Sequence, residues 1–401
     1  MNIIGIVAEY NPFHLGHDYH IRATRAAEGE DCAIICAMSG DFVQRGEAAM
    51  YSKFARAEAA CRSGADLVLE LPLPWALSSA EGFARGAVGM LAAAGAEKLS
   101  FGSEAGETEP LEALAEILLS QDIIYKTKDI LAADGNMSYA AARQRAVEAK
   151  AGEAAKLLEH PNNILAVEYL KAIRSLDVDM KPMTVRREGS GHDRDGGEGP
   201  KSAAEIRRMT ARGEDVNAFL PGTAAAVYAA EQRKGRIIDA ERTELAVMSR
   251  LRMLSEADFR LIPDAGNGVG ERLYRAAHEE TNLNAVMAAA KTKRYALSRI
   301  RRMCMCAALG VKAGMNSGVP PYIRVLAANE RGCAALRRIQ DNASVPVITK
   351  PATAKMLSSE CMDVFATGVY AHDLYVLGYR AEGERKGGED WRISPIIVKN
   401  P

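Results

Sequence analysis

The stretch Ile3-Ile4-Gly5-Ile6-Val7-Ala8-Glu9-Tyr10-Asn11-Pro12-Phe13-His14-Leu15-Gly16-His17 decides how this chain is read. An apolar run of strand length, Ile3–Ala8, leads into an Asn-Pro turn. Two histidines flanking one glycine then stand where a helix is due to begin. The free N–H groups of a helix N-terminus attract anions, and the phosphates of a nucleoside triphosphate suit such a site. His14 and His17 can donate hydrogen bonds to phosphate oxygens as charge builds during phosphoryl transfer. Gly16 between them is read as allowing a tight turn and leaving room for a ligand. The plainer reading is a pair of surface histidines at a helix cap; the position directly behind a first strand favours the functional one.

Working outward, short apolar runs alternate with amphipathic stretches. Residues 18–27 read as helix, 32–38 as a second buried strand and 52–62 as helix with Phe54, Ala55, Ala59 and Ala60 facing inward. Leu67–Leu71 is a third strand, 79–94 an Ala- and Gly-rich helix capped by Ser78 or Ser79, and 98–101 a fourth strand. This rhythm predicts an α/β fold, a parallel sheet with helices on both faces. Ligands of such sheets bind at the carboxyl ends of strands, here the 11–17 motif and the segments 39–41, 70–72 and 102–104. Residues 108–180 read as mostly helical, with 161–163 capping a helix over 164–175, and 183–187 as a strand. A Gly-rich, charged loop spans 188–200, a helix follows over 202–211, and Pro221-Gly222 marks a boundary. Beyond it, 240–254, Leu283–Ala290, 296–309 and 358–378 have helical periodicity. Strand candidates at 322–327 and 345–349 interrupt them, and Pro346 confines the second to a sheet edge. The expected division is a catalytic domain over 1–215 and a mainly helical domain over 216–401.

Hydrophobic residues make up 48% of the 401 and charged residues 26%, an ordinary globular mix. No apolar run approaches the roughly 20 residues of a membrane helix. The first residues read as a core strand and not as a targeting signal, so a cytoplasmic location is expected. The seven cysteines form neither a CxxC pair nor a zinc-like spacing, and most are expected to be buried free thiols. With 51 basic and 52 acidic residues, nucleic-acid binding has to come from local clustering. Six cations lie between residues 291 and 302 with no acid among them: Lys291, Lys293, Arg294, Arg299, Arg301 and Arg302. Tyr295 is available among them to stack on a base. A solvated helix face neutralised by nearby acids such as Glu279 and Glu280 is the alternative. A weaker patch is Arg207, Arg208 and Arg212.

His14-Leu15-Gly16-His17 resembles the HxGH signature of the nucleotidyltransferase superfamily, which implies a Rossmann-like domain directing a nucleophile onto the α-phosphate of ATP. A second superfamily signature, ISSTxxR, is matched in part by residues 201–207: Ser202 and Arg207 fit, whereas Lys201, Ala203 and Ala204 depart from it. Over a longer span the chain resembles the bacterial tRNA(Met) cytidine acetate ligases. The matching stretches are 5–17, Ser39-Gly40-Asp41-Phe42-Val43-Gln44-Arg45-Gly46-Glu47, 65–72, 101–104, 161–165 and 293–295. The resemblance implies activation of acetate with ATP, release of pyrophosphate, and acetylation of the wobble cytidine of elongator tRNA(Met). It implies ATP contacts at Val7, Ala8, Glu9, Tyr10, Asn11, Pro12, Phe13, His14, Leu15, Gly16, His17, Asp18, Tyr19 and His20, and at Gly102, Asn162 and Arg187. Asn162 also reads as a simple helix cap. Ser202 and Arg207 are added from the partial motif.

Mg²⁺ bridging the phosphates is expected, with its protein ligands unassigned; Glu70 and Glu104 are candidates at strand ends. Arg45 and Lys53 are further candidates for acetate or triphosphate. No membrane and no obligate protein partner are expected. Two rival readings are a small-molecule adenylyltransferase and a non-catalytic RNA-binding protein on a nucleotidyltransferase scaffold.

Overall fold

The computed structural model describes residues 1–134, 137–187 and 201–399. The Gly-rich loop expected at 188–200 lies outside the described residues. Strands β1 (Ile3–Ala8), β2 (Ala33–Ser39), β5 (Leu67–Leu71), β6 (Lys98–Ser103) and β7 (Lys181–Arg186) run parallel in the spatial order β5-β2-β1-β6-β7. The chain builds outward from β1 to β5, then crosses back to β6 on the other side. β1 and β6 therefore form the switch point where the two directions of winding diverge and a crevice opens.

Alternation along each strand sends side chains to two different cores. Ile3, Ile35, Leu67, Leu69 and Leu99 pack on one face with the helices Ala80–Ala93 and Pro161–Ser175. Ile4, Ile6, Ile34, Cys36 and Val68 pack on the other with α1 (Leu15–Glu28), α2 (Lys53–Arg62) and the helix Gly222–Lys234. Burial on both faces explains why these strands read as unbroken apolar runs. Five of the seven cysteines are buried and all are free.

The expected helical region beyond 216 is present as Ala240–Met253, Val269–Glu279, Leu283–Ala290, Leu297–Leu309 and Ser359–Val376, which share a third core. The sheet nevertheless continues into it. β8 (Ile323–Ala328), buried along its whole length, pairs antiparallel with β5, and both β9 (Val347–Ile348) and β10 (Ile396–Ile397) pair parallel with β8. The region is thus stitched to the edge of the parallel sheet. No helix among the described residues is long and apolar enough to cross a membrane.

Candidate active site

Between β1 and α1 the chain makes a compact loop. Its Asn11–Pro12 peptide is cis, and Tyr10 adopts a φ of 48°. The loop is tied down at several points. Asn11 Oδ1 accepts the Met50 amide at 2.8 Å, the Phe13 amide donates to the Tyr228 hydroxyl at 2.9 Å, and the Tyr10 hydroxyl lies 3.2 Å from Cys36 Sγ.

α1 begins at Leu15, three residues before the expected helix start, because His14 itself is the N-cap. The Gly16 amide donates to His14 Nδ1 at 2.9 Å, and the His14 amide donates to His17 Nδ1 at 3.3 Å, a reciprocal capping box built from two imidazoles. Each Nδ1 is an acceptor, so in the neutral ring the proton sits on Nε2. Burial lowers the His14 pKa to about 4, with nearby Arg187 adding to the effect. Burial, His14 and Arg187 likewise push His17 well down. Two neutral rings with centroids 3.9 Å apart therefore present Nε2–H donors beside the positive end of α1.

Gly16 has its place for a different reason from the one expected. It lies inside the helix at an ordinary negative φ, but a Cβ there would stand 2.8 Å from His14 Cε1. The missing side chain makes room for the imidazole. His20 is half-buried, its pKa also lowered to about 4 by desolvation and Arg187, and its Nε2 lies 2.9 Å from Ser100 Oγ. Asp18 pairs with Arg22 at 2.5 Å, while Tyr19 and Leu15 are exposed.

Across the switch point, Gly102, Asn162 and Arg187 come together at the end of β6. A Cβ on Gly102 would stand 3.2 Å from Arg187 Cγ, and Arg187 Nη1 donates to Asn162 Oδ1 at 3.2 Å. The helix starts at Pro161, so Asn162 lies in its first turn and no side chain caps it. Asn162 Nδ2 instead donates to Glu104 Oε1 at 2.6 Å. Asn163 Oδ1 accepts the amides of Glu104 and Ala105 at 3.0 and 3.1 Å and fixes the exit of β6. From the third side, Arg207 Nη1 donates to the Asn11 carbonyl at 2.7 Å, and Ser202 Oγ accepts the Glu205 amide at 3.3 Å as the cap of the helix Ala203–Ala211.

Arg187 and Arg207 thus place guanidinium groups beside the loop that carries the two imidazoles. The model of the HIGH nucleotidyl transferase family matches residues 1–390. The tRNA(Met) cytidine acetate ligase of Thermoanaerobacter sp. (strain X514) is 35% identical over 391 residues, 95% of this chain and 96% of that protein. The ligase of the same name from Syntrophotalea carbinolica is 37% identical over 362 residues, 87% of this chain and 85% of that protein. A crystal structure of Thermotoga maritima TmcAL bound with alpha-thio ATP superposes with a TM-score of 0.91 at 30% identity, covering all of both chains. The chain belongs to the tRNA(Met) cytidine acetate ligase family.

Several charged residues of this family member do other work than expected. Lys53 is fully buried, with Nζ 2.9 Å from Glu70 Oε1 and 2.7 Å from Asp390 Oδ2, so it is not available to acetate or triphosphate. Glu70 is taken up by Lys53 and by Arg324 at 3.0 Å, and Glu104 by Asn162 and the Asn163 amide. Among the described residues no group of three or more His, Cys, Asp or Glu side chains could hold a metal ion.

Lys53 belongs to a larger buried network that links β2 and β5 to the C-terminal part of the chain. Arg324 also pairs with Asp390 at 2.9 Å, and His372 lies between Asp41 at 2.8 Å and Glu389 at 3.1 Å. Those carboxylates outweigh the burial of His372 and raise its pKa to about 10. A group raised above its unfolded value of about 6.5 gives stability that is fully present below that pH and lost as pH rises towards 10. We expect unfolding free energy to fall by about 1.4 kcal/mol per pH unit between pH 7 and 8.5, and His372→Gln to remove that slope. Urea titrations across this window measure it, and a flat wild-type profile would show His372 to be neutral in the fold.

Sequence reading missed Arg56. It is fully buried in α2, yet it faces main-chain carbonyls and not a carboxylate: Nε donates to Tyr51 O at 2.9 Å, and Nη1 and Nη2 reach Glu9, Ser39 and Gly40 O. One guanidinium thus closes the carboxyl ends of β1 and β2 beside the site. Its neighbours Phe54, Ala55, Ala59 and Ala60 mark the helix face as inward, and that was the one available signal.

The basic segment divides in two. Lys291, Lys293 and Arg294 are exposed in the connection before the helix Leu297–Leu309. Arg299 stacks on Tyr295, 4.6 Å from the ring centroid, and pairs with Asp264 at 3.4 Å. Arg301 pairs with Glu47, and burial pulls the pKa of Arg302 down. Tyr295 thus already carries an arginine on its ring.

Proposed function

We propose that this chain is an ATP-dependent ligase that acetylates the wobble cytidine of elongator tRNA(Met), giving N4-acetylcytidine, in the cytoplasm. The reading rests on one observation. The paired neutral imidazoles of His14 and His17 stand at the switch point of a chain aligned nearly end to end with proteins named for that activity. In the first half-reaction an acetate oxygen attacks the α-phosphorus of ATP, the bond to the β-phosphate oxygen breaks, and pyrophosphate leaves. The Nε2–H groups of His14 and His17 and the free amides of α1 stabilise the charge that builds on the phosphate oxygens. Arg187 and Arg207 flank the triphosphate as guanidinium donors. Mg²⁺ held by the nucleotide's own phosphates would offset their negative charge. In the second half-reaction the cytidine exocyclic amine attacks the acyl carbon of acetyl-adenylate, AMP leaves, and the amine sheds a proton. An unstacked anticodon base meets that requirement.

The deciding experiment is exchange of labelled pyrophosphate into ATP, with and without acetate and against a panel of other small acids. Acetate-dependent exchange is expected. Exchange with no acid at all, or none under any condition, overturns the ligase reading and favours direct nucleotidyl transfer or RNA binding alone. For the acceptor, each exposed lysine of the 291–295 segment should neutralise about one phosphate. Lys293→Gln is expected to weaken tRNA binding and to reduce the slope of log affinity against log salt by about 1. An unchanged slope would place the tRNA elsewhere.

A further inference from the structure

Glu47 sits where the two halves of the site meet. It belongs to the short antiparallel hairpin of β3 (Phe42–Val43) and β4 (Glu47–Ala48), which leaves the carboxyl end of β2. One carboxylate oxygen, Oε2, lies 3.6 Å from Arg207 Nη2, and the other, Oε1, is paired with Arg301 Nη1. Arg207 faces the nucleotide loop through the Asn11 carbonyl; Arg301 lies on the basic helix. A single half-exposed carboxylate is therefore shared by one arginine from each proposed anion site.

The hairpin is held firmly in that position. The Gln44 amide donates to Glu9 Oε1 at 2.8 Å, and the Ala49 amide donates to Asp41 O at 2.8 Å. Gly46 turns with a φ of 74°, and a Cβ there would stand 3.0 Å from the Arg302 amide nitrogen. The hairpin tip thus packs directly on the backbone of the basic helix, and Glu47 cannot follow one arginine without leaving the other.

Resting on the functional reading above, we infer that Glu47 is a positioning residue that makes ATP and tRNA binding antagonistic and so orders the two half-reactions. When a triphosphate draws Arg207 away, the carboxylate is left to Arg301 alone and competes there with a tRNA phosphate. When pyrophosphate leaves after adenylation, Arg207 returns to Glu47 and Arg301 is released to the tRNA. With both polyanions bound, the carboxylate has no cation and faces two negative neighbours. By linkage the penalty is reciprocal: tRNA weakens ATP by the same factor as ATP weakens tRNA.

The test is calorimetric titration of ATP, without acetate, into the full-length protein alone and saturated with tRNA. Binding of each ligand alone is measured first, and failure of either overturns the functional reading together with this inference. Wild type is expected to bind ATP about three- to tenfold more weakly when tRNA is present. Glu47→Gln is expected to bind each ligand more tightly and to reduce the factor to about one. Simple repulsion between the two polyanions would survive that substitution, so a Glu47→Gln protein that keeps the wild-type factor overturns the proposal, as does a wild type with none. Arg301→Gln supplies a second variant. It should also lose the coupling but, with Glu47 now held by Arg207 alone, bind ATP more weakly than wild type in the absence of tRNA. Tighter ATP binding by Arg301→Gln would contradict the proposed sharing.

Discussion

His14→Ala is expected to lower acetate-dependent ATP–pyrophosphate exchange by about 10²–10³-fold in a protein that remains folded. The two effects separate because His14 does two jobs with two nitrogens. Nδ1 caps α1 by accepting the Gly16 amide, and loss of a cap costs about 1 kcal/mol. Nε2 carries the proton that a phosphate oxygen would accept, and a donor lost where charge develops costs two to three orders of magnitude in rate. His14→Asn sharpens the test. Asparagine is a good cap and should restore the helix start, but its amide is too short to place a donor where Nε2 stands, so exchange should stay low. Gly16→Ala approaches the same atom from the other side, since its methyl would press on the His14 ring. It should slow exchange without removing either histidine. Exchange by His14→Ala within tenfold of wild type would mean that the charge is stabilised elsewhere, on Arg187 or on the amides of α1.

The chain advertises part of this site and conceals the rest, for physical reasons that differ by residue. The strand Ile3–Ala8 and the histidine motif are local signals: an apolar run, a turn and a helix start all sit within fifteen residues. The strand ends that line the crevice follow from the βαβ rhythm once the order β5-β2-β1-β6-β7 is assumed. Long-range pairing carries no such signal. Lys53 and Arg56 sit three apart in one helix with equal charge, and both are buried, yet one meets carboxylates from β5 and from residue 390 while the other meets carbonyls. Nothing in residues 52–62 distinguishes them, because their partners are fixed by the fold. The return of residues 323–328 to the sheet was legible as a strand but not as a neighbour of β5. Gly16 was legible as special, and only the geometry shows that the space it leaves is filled by His14.

Lys53→Met is expected to destabilise the protein by about 3–5 kcal/mol, the cost of leaving buried charge without its partner. Four carboxylates (Asp41, Glu70, Glu389, Asp390) and four cations (Lys53, Arg236, Arg324 and protonated His372) meet at this junction. Glu384, paired with Arg236 at 2.5 Å, adds a fifth carboxylate at the rim. Removing the ammonium leaves Glu70 and Asp390 to share Arg324 alone. The Lys53 amide also fixes Asp41 Oδ1 at 2.8 Å, and Asp41 O holds the amide of Ala49, the residue after the hairpin strand that carries Glu47, so the network props the entrance to the site. Methionine fills most of the volume, so the loss measured by urea unfolding reports charge and not a cavity. Combining it with Glu70→Gln should recover part of the loss, a non-additivity of about 1–3 kcal/mol between residues in contact. Kinetics decide what the lysine is for. A buried strut predicts that the folded Lys53→Met protein keeps its KM for acetate, with activity falling only as the folded fraction falls. A Lys53→Met protein of wild-type stability that no longer responds to acetate would instead return Lys53 to the acetate pocket.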